Sequence, residues 1–205
     1  MNPSSENLPF HRSLELMSTA DTGLLVIDMQ EKLLKLIAGH ERVTWNCRRL
    51  LDGAKVLGMA IAGTEQYPQG LGPTTPVLAE RMGSLPAKAL PAKTWFSARE
   101  CESIFHGWRD RGIFKVLVCG IEAHVCVQQT VLDLLSEGFR TFVAVDAVGS
   151  RSPLDAEVAI RRLNASGATI TTTEAALFEW CATASHPQFK AISGLVKETG
   201  PGSSS

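Results

Sequence analysis

Along this chain, short apolar runs alternate with stretches in which apolar residues recur every three or four positions. The β-rich runs at residues 24–28, 59–64, 115–120 and 140–145 predict strands buried on both faces, and a last strand is predicted at 168–171. Residues 89–93 predict a further strand, but Pro91 has no N–H to give a ladder and confines it to a sheet edge. The 3.6-residue period predicts helices at 41–57, 99–111, 124–137, 153–166, 173–181 and 187–196. Gly138 closes the third of these, and Pro153 sits in the first turn of the fourth. Strands that alternate with helices in this way predict an α/β fold, a parallel sheet with helices on both faces. Residues 1–20 are polar and aperiodic and 199–205 read as a linker, so one domain is expected at 21–198 with an arm before it and a tail after it.

Composition narrows the function. The chain of 205 residues suits one well-filled domain, and its 20 basic and 21 acidic residues leave a net charge of −1. No Lys/Arg stripe is present to track phosphates, so nucleic acid is not an expected partner. The apolar runs are too short to span a bilayer, and the first twenty residues lack the basic start and apolar core of a signal peptide. Five cysteines, an odd number with no C-x-x-C pair, read as reduced thiols. Cytoplasm is the expected compartment.

In an open parallel sheet, ligands bind at the carboxyl ends of the strands, and four places put reactive or polar groups there. Asp28 ends the first strand; alone it reads as a helix N-cap. Cys126 follows the strand at 115–120 and falls at the start of a helix, where the helix's partial positive charge should lower a thiol's pKa and free N–H groups can hold an oxyanion. Cys47, Cys119 and Cys181, in apolar stretches, read as small buried hydrophobes, and Cys101 is left open. Lys93 ends the edge strand; it matters only if it meets Asp28 and Cys126, since a cation steadies both anions. The loop 64–72 holds the only tyrosine, Tyr67, and is either a pocket wall or a Pro/Gly turn. His124 is two residues from Cys126 on a helix, so the two do not face each other and a Cys–His pair is not expected. There is no G-x-S-x-G elbow, Walker loop or H-E-x-x-H.

Val26-Ile27-Asp28-Met29-Gln30, Lys93-Thr94-Trp95-Phe96-Ser97 and Gly120-Ile121-Glu122-Ala123-His124-Val125-Cys126-Val127 resemble, in order, the three motifs of the isochorismatase-like hydrolases. The loop 64–74 and the segment 186–190 resemble the isochorismatase-domain-containing subgroup. The resemblance spans about residues 21–198 and implies a three-layer α/β/α fold with a six-stranded parallel sheet in order 3-2-1-4-5-6. It also implies Asp28 as general base, Lys93 as its electrostatic partner and Cys126 as nucleophile. A cis peptide before Glu122 is implied as well, turning the N–H groups of Glu122 and Cys126 toward an oxyanion. Gln66, Tyr67, Trp95 and Phe96 are then the expected pocket lining.

Metal-dependent nicotinamidases of this superfamily carry an Asp-x-His and a further His after the second strand. The stretch 64–72 has no histidine, so neither a metal nor any other cofactor is expected. Isochorismatases proper cleave a vinyl ether and need no cysteine at the nucleophile position, so Cys126 favours acyl chemistry on a small amide, carbamoyl or imide. The alternatives are ether or ester hydrolysis on the same scaffold, or a non-catalytic oligomeric binding protein. A homo-oligomer is expected from the resemblance.

Overall fold

The strand β1 (Thr22–Ile27) is buried along its whole length, as the middle of a sheet covered on both faces must be. The computed structural model describes residues 10–83 and 90–202. Around β1 lie β2 (Ala60–Gln66), β3 (Ala92–Lys93), β4 (Lys115–Ile121), β5 (Arg140–Gly149) and β6 (Thr169–Thr171). All pairings are parallel, in the order β3-β2-β1-β4-β5-β6. The expected order is therefore found, and the strand containing Pro91 is an edge, shortened to Ala92–Lys93. Its expected first residue, Ala89, lies outside the described residues.

Alternation along the strands divides the core. Leu24, Val26, Leu117 and Cys119 face a layer built from α2 (His40–Val56), α8 (Thr173–Cys181) and α9 (Phe189–Val196). Leu25, Ile27, Val116 and Val118 face α5 (Glu102–Arg109), α6 (Gln128–Ser136) and α7 (Pro153–Ala165). Together these give the three-layer α/β/α architecture. Cys47, Cys119 and Cys181 are buried in the first layer, as small hydrophobes.

The expected boundaries shift where loops meet the site. Strand β2 runs to Gln66, two residues past its expected end, because its last residues pair with β3. The helix expected at 99–111 splits at Cys101 into a 3-10 turn (Ala98–Glu100) and α5. That expected at 124–137 opens with a π turn, Ala123–Val127, before α6 begins. Strand β5 extends to Gly149 past an irregularity opposite Val118 and Gly120. Among the described residues, three single-turn α-helices had no periodic signal: α1 (Glu31–Leu34), α3 (Pro68–Leu71) and α4 (Pro76–Ala79).

Part of the N-terminal arm folds back on its own domain. Met17 is wholly buried in the core, and Lys115 Nζ donates to the Leu16 carbonyl at 2.8 Å. Residues 1–9 and 203–205 of the arm and tail lie outside the described residues. Among the described residues no helix is long and apolar enough to cross a membrane.

Candidate active site

Three strand ends deliver three side chains to one point. Asp28 directly follows β1, Lys93 ends β3, and Cys126 sits in the π turn after β4. The approach of β4 to β1 requires a glycine. Gly120 has φ +113°, and a Cβ there would lie 2.1 Å from the Ile27 carbonyl oxygen. The Ile121–Glu122 peptide that follows is cis, as the family resemblance implied.

Asp28 is fully buried and left-handed (φ +51°), a backbone region aspartate tolerates better than most residues. It does not cap a helix: the N-cap of α1 is Gln30. Its Oδ1 accepts from Thr64 Oγ1 at 2.8 Å, and its Oδ2 lies 2.7 Å from Lys93 Nζ in a pair with both side chains wholly buried. Both Lys93 and the Cys126 thiol hydrogen-bond to this carboxyl. The ammonium of Lys93 also donates to Gln66 Oε1 (2.6 Å) and to the carbonyls of Phe96 (2.9 Å) and Trp95 (3.3 Å). A lysine caged by oxygens in this way is far from the solvated loop residue it would be by default.

Cys126 is buried, with its thiol in a long 4.0 Å contact to Gln66 Oε1. Here an expectation is corrected. The helix start was to lower the thiol's pKa, but burial, followed by the Asp28 charge, pushes it up to about 12, with Lys93 opposing. Cys101, also buried, is pushed up to about 11 by burial first and the Glu100 charge second. Asp28 moves in the same sense: burial raises its pKa while Lys93 holds it down. Burial thus favours the protonated form of both the thiol and the carboxyl beside it.

Several supporting residues escaped the sequence reading. Gln30 is fully buried; its Nε2 donates to Gln66 O (3.0 Å) and Gly72 O (2.6 Å), and its Oε1 accepts from Gln66 N (2.8 Å). It thereby ties the end of β2 to the loop after it. Glu65 closes the same loop by accepting from Thr74 N at 2.6 Å. Thr130 Oγ1 donates to Cys126 O (2.6 Å) and accepts from Ala98 N (2.8 Å), fixing the π turn against the Lys93 loop.

The expected pocket residues divide. Gln66 faces Lys93 and Cys126 with its amide engaged, its Nε2 donating to Thr94 O at 2.8 Å. The side chains of Tyr67, Trp95 and Phe96 are 54%, 74% and 51% exposed, with the Tyr67 ring lying over Gly70. Glu122 Oε2 accepts from Arg151 N (3.0 Å) and Nε (3.1 Å). As expected, His124 serves elsewhere, with Nδ1 2.9 Å from Ser150 Oγ and Nε2 4.0 Å from Asp155. Among the described residues no group of three or more His, Cys, Asp or Glu is placed to hold a metal ion.

The chain is similar to known proteins in sequence and in fold. The isochorismatase domain family matches residues 22–175. The human isochorismatase domain-containing protein 2 is 42% identical over 180 residues, covering 88% of this chain and 85% of the human protein. Among solved structures, a Caenorhabditis elegans protein described as MAR1 ribonuclease superposes with a TM-score of 0.81 at 36% identity, covering 91% of this chain and 94% of the worm chain. YcaC from Pseudomonas aeruginosa, solved with hexane-2,5-diol and covalent acrylamide, superposes with a TM-score of 0.80 at 25% identity, covering 90% and 93%.

Proposed function

Because this chain belongs to the isochorismatase family of hydrolases, we propose that it is a cysteine hydrolase of small amides, carbamoyl compounds or imides, working in the cytoplasm through a thioester and without a metal. The observation that carries this reading is the buried meeting of Asp28, Lys93 and Cys126 at the carboxyl ends of the sheet.

The Cys126 proton passes to Asp28, and the thiolate, facing the Lys93 ammonium, attacks the substrate carbonyl. The oxyanion rests on the backbone N–H groups of Glu122 and Cys126. The tetrahedral adduct collapses by breaking its C–N bond. Ammonia or an amine leaves with the proton held by Asp28. Water then gives a proton to Asp28 and adds to the thioester, and the departing sulfur takes that proton back. Trp95, Phe96 and Tyr67 supply the outer wall for the substrate, and Gln66 its floor.

Acrylamide, a small amide found covalently bound in the YcaC structure, is a direct probe. Thiolate addition at its β-carbon, with a proton added at the α-carbon, marks the nucleophile without needing a leaving group. Neither Cys126, near 12, nor Cys101, near 11, is a resting thiolate, so selectivity must come from recognition of the amide and from Asp28. After chelator treatment, peptide mapping should find the adduct on Cys126. Ammonia release from an amide panel should fall at least ~10³-fold in Cys126→Ala. Equal labelling of Cys101, or hydrolysis of an amide or an RNA oligonucleotide that survives Cys126→Ala, would overturn the reading.

A homo-oligomer is part of the same proposal. Large side chains as exposed as Trp95 and Phe96, together at the rim of a buried site, are suited to cover by another subunit. Light scattering at micromolar concentration should give a multiple of the 22.1 kDa chain mass, and a clean monomer would contradict it.

A further inference from the structure

Lys93 is held less by its own strand than by the loop that follows it, and that loop is gripped from outside. Two successive peptide planes lie between the site and a carboxylate in the next turn. In the first, the Lys93 carbonyl accepts from Tyr67 N at 2.9 Å while Thr94 N donates to Glu100 Oε2 at 2.7 Å. In the second, the Thr94 carbonyl accepts from Gln66 Nε2 at 2.8 Å while Trp95 N donates to the same Glu100 oxygen at 2.8 Å. Thr94 Oγ1 adds a third contact, donating to Glu100 Oε1 at 3.1 Å. The next carbonyls along the chain, those of Trp95 and Phe96, turn inward onto the Lys93 ammonium. Burial is the largest single influence on the Glu100 carboxyl and pushes it up, but the N–H groups of Trp95 and Thr94, the Thr94 hydroxyl and the Lys93 charge together outweigh it and hold the group below its usual range.

We propose that Glu100, on the exposed side of the loop, is a positioning residue for Lys93. By pinning the N–H groups of Thr94 and Trp95 it keeps the loop carbonyls aimed at the ammonium, and so keeps the ammonium beside the Cys126 thiol. Gln66 is the inner half of the same clamp: with Nε2 committed to Thr94, its Oε1 is the atom that faces Lys93. The inference rests on Lys93 being the electrostatic partner of the thiolate.

Positioning and simple charge act in opposite directions here. As a bare negative charge, Glu100 would oppose thiolate formation, so its removal would make the thiol more acidic. As a positioning group it supports Lys93, so its loss should make the thiol less acidic. The rate of Cys126 alkylation by iodoacetamide is measured against pH for Glu100→Ala, Glu100→Gln, Lys93→Ala and the double variant Glu100→Ala/Lys93→Ala, with thermal melts confirming that each is folded. Glu100→Ala should slow alkylation by roughly 3–10-fold at each pH below the thiol's pKa, equivalent to an upward shift of the profile by roughly 0.5–1 unit and a part of the ~1–3 units an adjacent opposite charge is worth. Glu100→Gln should restore most of it, since one amide oxygen can accept both N–H groups. In the Lys93→Ala background, Glu100→Ala should add nothing. A downward or absent shift in folded Glu100→Ala, or an additive shift in the double variant, overturns the proposal. If Lys93→Ala itself leaves the profile unmoved, it is the underlying reading of Lys93 that fails.

Discussion

Replacing Lys93 with methionine should destabilise this protein by about 3–5 kcal/mol near neutral pH, because it strands the Asp28 carboxylate in the interior. Methionine approximates the length of the lysine stem, so the loss should come from charge more than from packing. The pH dependence gives the sharper signature. Burial already sets the folded pKa of Asp28 above its unfolded value, and Lys93 is the largest influence opposing that rise. Without Lys93 the folded pKa climbs further. A carboxyl raised on folding binds its proton more tightly in the folded state. Stability is therefore greatest below the unfolded value, near ~3.9, and falls as pH rises through the folded pKa. The deficit against the parent should accordingly be larger at pH 8 than at pH 5 in denaturant titrations. Adding Asp28→Asn to Lys93→Met should recover most of it, since the stranded charge is gone. A loss under about 1 kcal/mol, or one equal at both pH values, would mean that the pair is not the buried ion pair its geometry describes.

Such a pair is a poor way to gain stability, since a buried ion pair often does no better than apolar residues of similar volume. Asp28 also adopts a left-handed backbone, and Gly120 is required for the adjacent strand to approach. Costs gathered at one point of an otherwise apolar sheet are what a preorganised reaction site looks like. The surrounding hydrogen bonds from Thr64, Gln66 and the loop carbonyls make the pair tolerable by satisfying nearly every polar atom in it.

The strand ends were legible in the sequence because each carries a local signal: an apolar run that stops at Asp28, a proline that marks an edge before Lys93, and a strand that gives way to a helix around Cys126. The residues around them were not. Thr64 and Gln30 are ordinary polar types, and Gln66 was expected only as pocket lining, not as a partner of Lys93; the partners of the three lie 27 to 42 positions away. One signal was available: β1 and β2 are parallel neighbours with Ile27 opposite Thr64, so Thr64 had to fall beside Asp28 once the strand order was expected. Glu100 was hidden inside a stretch whose apolar period suggested unbroken helix. The thiol's acidity was misjudged for a reason of magnitude. A helix start lowers a pKa modestly, while burial beside a carboxylate raises it by more, and burial cannot be read from a motif.

The last expectation separates acid–base work from electrostatics at Asp28. Asparagine there keeps the Thr64 contact through its amide oxygen, and Lys93 retains Gln66 Oε1 and the carbonyls of Trp95 and Phe96 for its three N–H groups. After burial, the Asp28 charge is the next largest influence that holds the Cys126 thiol near 12. Removing that charge while Lys93 remains should lower the thiol's pKa, moving the pH profile for iodoacetamide alkylation down by about 1–2 units and speeding alkylation at each pH below it. Iodide leaves without a proton, so this reaction does not need Asp28 as an acid. Amide hydrolysis by the proposed mechanism does need it, to protonate the departing nitrogen and to activate water, and should fall about 10²–10⁴-fold. Asp28→Asn should therefore alkylate faster and turn over more slowly than the parent. If both rates fall together, the substitution has simply damaged the site. If hydrolysis persists at the parental rate, the proton is carried by some other group and Asp28 serves only to hold Lys93.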